Sequence, residues 1–136
     1  MIVDTSALLA IAWHERGHER LLDALGAGGF HVPAPVLIEI DRVAMRRGIT
    51  NRSAINDFIE RLREDGRVGE PFTDEDARIA VAANERFGTG NGRGGTLNLL
   101  DLMVYAVAKR MGLPILCTGK DFAATDAAIH PASRID

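Results

Sequence analysis

Between Leu99 and Ala108 the chain reads Leu-Leu-Asp-Leu-Met-Val-Tyr-Ala-Val-Ala, so Asp101 is the one polar break in ten residues. A helix that is apolar all round has to be wrapped by other structure. The stretch is too short to span a bilayer, which takes ~20 apolar residues, so the wrapping must be protein. The rest of the chain provides it as short apolar runs alternating with helical patterns. Met1–Val3, Phe30–Val32, Val68–Phe72, Ile115–Cys117 and Ala128–His130 read as strands. Ser6–Trp13, His18–Leu25, Val36–Arg47, a segment capped by Asn51 or Ser53 and running to Leu62, a segment from Thr73 to about Phe87, and Leu97–Met111 read as helices. Strands separated by helices imply crossover connections and a parallel sheet. The expectation is an α/β fold in three layers, α/β/α, around a short, mostly parallel central sheet, with residues 1–136 forming one domain.

Composition narrows the function. Apolar residues make up 46% and charged residues 26% of 136 positions, which excludes a disordered or fibrous chain. The Ala7–Trp13 run lacks signal-peptide character, and a single cysteine, Cys117, excludes an internal disulfide and a cysteine zinc cage. The chain therefore reads as a reduced, cytoplasmic protein with no membrane association. Net charge is −3, yet Arg42 to Arg67 holds seven arginines against four acids. Arg42, Arg46, Arg47 and Lys120 are accordingly candidate contacts for RNA or a protein partner.

The acids are in costly places. Asp4 follows Met-Ile-Val at the carboxyl end of the first strand, where α/β sheets bind ligands; its ordinary alternative is a helix N-cap. Glu39 lies in Val-Leu-Ile-Glu-Ile on the core side of its helix, with an ion pair to Arg42 as its alternative. Asp101 interrupts the apolar helix; its alternative is a cap, since Asn98 or Asp101 could each begin that helix. Asp121 follows the Ile115–Cys117 strand, and Asp126 comes five residues later; a surface turn is the alternative for both. Acids gathered from such positions raise one another's pKa unless a cation neutralises them. Carboxylates without Cys or a paired His motif suit Mg²⁺ or Mn²⁺ rather than zinc, and such sites serve phosphoryl chemistry by activating water and stabilising the leaving oxygen. Setting aside Asp4, Glu39, Asp101, Asp121 and Asp126 turns −3 into +2, a balance compatible with a polyanionic substrate.

Four stretches together resemble the PIN-domain ribonucleases, and among them the VapC-type toxins of type II toxin–antitoxin pairs. They are Met-Ile-Val-Asp-Thr-Ser at 1–6, the Pro35–Ile40 segment bearing Glu39, Leu97-Asn98-Leu99-Leu100-Asp101, and Gly112 to Phe122 with Thr118-Gly119-Lys120-Asp121. The resemblance implies a metal-dependent endoribonuclease in which Asp4, Glu39, Asp101 and Asp121 form the acidic quartet holding Mg²⁺ or Mn²⁺. Thr5, Ser6 and Thr118 would be polar neighbours and Asp126 an accessory acid. It further implies a homodimer and a VapB-like antitoxin lying in a groove near the helices around Arg42–Leu62. The chain departs from the family where Leu99-Leu100 stands in place of Phe-Gly, and where Lys120 replaces a small polar or acidic residue.

Other readings fit less well. A phosphatase with Asp4 as nucleophile would want an acid at position 6, where Ser6 stands. A receiver-like, non-catalytic Mg²⁺-binding module needs an acceptor Asp at a mid-chain strand end, and the middle of this chain is helical. A binding-only PIN domain would have lost the quartet. The glycine-rich Gly88–Gly95 segment lacks the Gly-Lys-Ser/Thr ending of a phosphate loop.

Overall fold

A computed structural model describes all residues, 1–136. Four strands, β1 (Ile2–Val3), β2 (His31–Pro33), β3 (Arg67–Glu70) and β4 (Ile115–Leu116), form one parallel sheet in the order β3-β2-β1-β4. Six helices complete the three-layer α/β/α arrangement: α1 (Thr5–Ala12), α2 (His18–Gly26), α3 (Ala34–Met45), α4 (Ile49–Leu62), α5 (Asp74–Phe87) and α6 (Leu99–Met111). The central strands β1 and β4 are short and wholly apolar because a parallel sheet is covered on both faces, whereas the edge strand β3 reads Arg-Val-Gly-Glu. Ile2, Val3, Val32, Ile115 and Leu116 are fully buried in one continuous core with Leu8, Leu21, Val36 and Val104.

The order of connection positions the site. The chain moves from β1 to β2 to β3 on one side, then returns through α5 and α6 to place β4 on the other side of β1. That reversal opens a crevice beyond the carboxyl ends of β1 and β4. α3 starts directly after β2, and α6 runs down into β4 through Gly112–Pro114, so the first turns of both helices lie at that same edge.

Several boundaries differ from the sequence expectation. α4 begins at Ile49 with Gly48 before it and no side-chain cap. Asn51, expected there as a cap, instead donates to the Ala44 carbonyl and accepts from the Trp13 indole. β3 is shifted to Arg67–Glu70 because Pro71 has no N–H to continue the ladder. α6 starts at Leu99, since Leu97 pairs with Gly88 and Asn98 is the cap. Ala128–His130 is only a bridge of Ile129 to Ile115, cut short at Pro131, and the tail rejoins β4's continuation at Arg134. α6 is buried over Val104–Ala108, but its first turn is not: Leu99 is 73% exposed. No helix is long and apolar enough to cross a membrane.

Candidate metal centre

Each of the four predicted acids arrives at the crevice from a different element. Asp4 follows β1 and serves as N-cap of α1, its Oδ2 accepting from the Ser6 N–H at 3.0 Å and the Ser6 hydroxyl at 2.5 Å. The capping alternative is thus realised, but by one oxygen. Asp4 Oδ1 is buried with no hydrogen-bond partner, and so is the neighbouring Thr5 hydroxyl. A buried carboxylate oxygen left without a donor is costly. Ser6 also accepts from the Thr118 N–H at 3.0 Å, which ties the end of β4 to the end of β1. Thr118 therefore contributes its backbone to this link.

Glu39 sits in the second turn of α3, half-buried, and makes no ion pair with Arg42. Asp101 is the third residue of α6. Its Oδ2 accepts from the Asn98 N–H at 3.0 Å while its own N–H donates to Asn98 Oδ1 at 2.9 Å, a reciprocal capping box. Asp121 lies on the exposed turn after β4, just before the short 3-10 turn Phe122–Ala124.

The acids sense one another. Burial pushes the Asp101 carboxyl up to about 7, opposed by the Asn98 hydrogen bond and reinforced by the charges of Asp4, Asp121 and Glu39. Burial also raises Asp4, against its Ser6 hydrogen bonds, with a further push from Asp121. Glu39 is raised by burial and by Asp4, partly offset by the nearby Thr5 hydroxyl, which favours its charged form without reaching good hydrogen-bond geometry. None of the four has an ion-pair partner. As they stand, no three of them converge tightly enough to close a coordination shell. Cys117, beside them, is a buried thiol pushed up to about 12 by burial and by Asp4, so no thiolate joins the group. Oxygen-only donors, mutual repulsion and an unpartnered buried carboxylate oxygen suit a hard divalent cation.

Asp126 does not join the quartet. It accepts from the Tyr105 hydroxyl at 2.5 Å and pairs with Lys109 and Arg86 at 3.4 and 3.6 Å, which hold its carboxyl below the ordinary range. Three donors from α5 and α6 make it a brace between those helices and the tail, so its expected accessory role gives way to a structural one. Arg47 is likewise occupied: its guanidinium lies 3.5 Å from the centre of the Trp13 ring. Arg42 and Arg46, by contrast, are exposed and unpaired. With Glu39, Ile38, Leu99 and Met103 they line a groove of about 750 Å³ between α3 and the start of α6. Lys120 is exposed beside Asp121. Thr96 went unnoticed in the sequence; its hydroxyl donates to the Asp121 carbonyl at 2.8 Å. No local pattern marks it, because the partners are 25 residues apart.

Comparisons with known proteins find relatives along nearly the whole chain. The sequence model of the PIN domain matches residues 1–128. Ribonuclease VapC42 of Mycobacterium tuberculosis is 38% identical over 134 residues, covering 97% of this chain and 98% of that protein. Ribonuclease VapC36 of the same organism is 39% identical over 131 residues, with 93% and 90% covered. Among solved structures, a toxin-antitoxin complex from Klebsiella pneumoniae superposes with a TM-score of 0.68 at 18% identity, over 96% of each chain. VapBC2 from Rickettsia felis, bound to a DNA fragment from its promoter, gives 0.67 at 13% identity, over 99% of this chain and 96% of that one.

Proposed function

The chain belongs to the PIN-domain family, and from that premise we propose that it is an RNA-cleaving hydrolase, the toxin of a VapBC-type toxin–antitoxin pair, acting in the cytoplasm with Mg²⁺ or Mn²⁺. The observation that carries the reading is a set of four unpaired acids at the carboxyl edge of a parallel sheet that feel one another's charge, with Asp101 pushed up to about 7 by burial and by the other three. The relatives named ribonucleases span nearly the whole chain, which supports the same activity here.

Asp4, Glu39, Asp101 and Asp121 are the residues that would hold the cation, and Asp4 Oδ1 is the oxygen already stripped of other partners. When bound, the metal supplies a Lewis acid that favours ionised water and offsets charge on the phosphodiester. The protein does the rest. Ser6 orients Asp4 through two hydrogen bonds, and the Thr118 N–H in turn donates to the Ser6 hydroxyl. Asn98 fixes Asp101 through the capping box. Arg42 and Arg46, together with exposed Lys120 beside Asp121, meet the RNA phosphates. The 136 residues act as one domain and assemble as a homodimer, for which exposed Val81 on α5 and Leu99 on α6 offer apolar surface. The α3–α6 groove, apolar along its floor and basic at Arg42 and Arg46, receives a segment of the antitoxin.

The purified protein is expected to cleave RNA with Mg²⁺ or Mn²⁺ and to stop on addition of EDTA, as followed on a labelled transcript; cleavage that survives chelation refutes the metal reading. Replacing Arg42 and Arg46 together by Ala should weaken RNA binding and lower the slope of log affinity against log salt by about 1.4, the share of two phosphate contacts on a single strand. Filter binding between low and moderate salt measures it, and an unchanged slope returns both arginines to plain surface.

A further inference from the structure

Asp121 is the least supported of the four acids. It lies five residues beyond β4, on an exposed turn, and its carboxylate accepts no hydrogen bond from the protein. The turn is fastened before it, where the Thr118 N–H donates to Ser6 and the Gly119 N–H donates to the Arg134 carbonyl at 2.7 Å. It is fastened after it by the buried ring of Phe122. At Asp121 itself the only side chain that reaches across from another element is Thr96, through the 2.8 Å bond from its hydroxyl to the Asp121 carbonyl.

Thr96 is well placed to bear load. The next residue, Leu97, is fully buried, donates to the Phe87 carbonyl and accepts from the Thr89 N–H, closing the base of the glycine-rich loop. The loop is braced inside by Asn91, whose Oδ1 accepts from the N–H groups of Arg93 and Gly95. The residue after Leu97 is Asn98, which makes the capping box with Asp101. Three consecutive residues thus grip three things: the turn of Asp121, the core, and the side chain of Asp101. Asp121 sits on an exposed turn, and the Thr96 bond is what holds that turn to the segment leading into α6.

We propose that Thr96 is a positioning residue for Asp121, its hydroxyl locking the turn that carries the fourth carboxylate to the strut that carries the third. The proposal rests on the reading of the four acids as a metal site. It needs the hydroxyl and not merely the shape: Val has nearly the same volume and branching but cannot donate.

The test uses the full chain with Mn²⁺ alone as probe, bound metal being read from the loss of the free-ion electron paramagnetic resonance signal. T96V is expected to weaken Mn²⁺ binding about tenfold, the low end of what outer partners of a metal ligand contribute. T96S keeps the donor and should stay within about twofold of the wild type. In RNA cleavage T96V should lower kcat and leave KM unchanged, because Thr96 positions an acid and does not touch the substrate. Thermal melts in EDTA check the fold, and T96A replaces T96V if the added methyl disturbs the loop. A T96V protein that binds Mn²⁺ like the wild type, or a T96S protein as impaired as T96V, overturns the role of the hydroxyl. A wild type that takes up no Mn²⁺ overturns the metal reading itself, and this inference with it.

Discussion

Asp101→Asn is expected to cut metal-dependent RNA cleavage by a factor on the order of 10³, which corresponds to several kcal/mol of lost transition-state stabilisation. The metal-free protein should be at least as stable as before. The substitution is well suited to separating site from scaffold, because Asn keeps an oxygen able to accept from the Asn98 N–H and so preserves the cap. What it removes is charge. In the metal-free wild type the Asp101 proton is retained to about pH 7, whereas an unfolded chain gives it up near pH 4. Between those values the folded state binds the extra proton, so stability should fall as pH rises from about 4 to about 7, by a few kcal/mol. The Asn variant should lack that slope. At neutral pH, Mn²⁺ at one hundred times its dissociation constant adds about 2.7 kcal/mol to the wild type, and the variant should lose most of that gain. Melts of both proteins across pH, in EDTA and in Mn²⁺, decide the matter. A variant that melts lower in EDTA yet keeps its full rise with metal makes Asp101 a structural acid.

The four acids stand out in the sequence because two follow apolar strands and two lie on apolar helices. Such positions draw attention from their sequence neighbours alone, and at Asp4 and Asp101 the structure adds that each also takes part in a helix cap. The strand positions followed from the same logic of apolar runs, and the parallel order from their spacing by helices. What stayed hidden depends on partners far along the chain. Arg47 looked as free as Arg46, and only the fold lays Trp13 beneath it. Asp126 looked like another misplaced acid, while Tyr105, Lys109 and Arg86 reach it from two helices. Asn51 looked like a cap because Asn caps helices, but the Ala44 carbonyl and the Trp13 indole claim it. β3 ended at Glu70, two residues short of the expected Phe72, where Pro71 withholds an N–H. The limit falls between conflicts a residue has with its sequence neighbours and satisfactions it finds in space.

Asp76 shows how sharp that limit is, and it yields the other large expected effect. In sequence Asp76 and Asp101 are twins. Each is the third residue of a helix, and each closes a capping box, with Thr73 for Asp76 and Asn98 for Asp101. Their environments are opposite. Asp76 is fully buried, yet Arg110 Nε lies 2.6 Å from its Oδ1 and the Thr73 N–H donates to its Oδ2 at 2.8 Å. Burial pushes its carboxyl up, but the Arg110 and Thr73 groups outweigh that and hold it below the ordinary value. A cation beside Asp76 makes it scaffold; Asp101 has none beside it, which is what the proposed metal site would use. Arg110→Ala should therefore destabilise the protein by about 3 kcal/mol at pH 7, because it strands a buried charge. An acid held low contributes stability that is present above its unfolded pKa near 4 and is lost as pH falls through its folded value. The deficit of the variant should accordingly shrink as pH is lowered below about 4. Adding Asp76→Asn to Arg110→Ala should recover part of the loss at pH 7, since no charge is then left unpaired. Urea titrations at both pH values measure this, and RNA cleavage per folded molecule should be unchanged in all of these variants. A deficit that is the same at low and neutral pH would mean that Arg110 acts through packing of its side chain and not through Asp76.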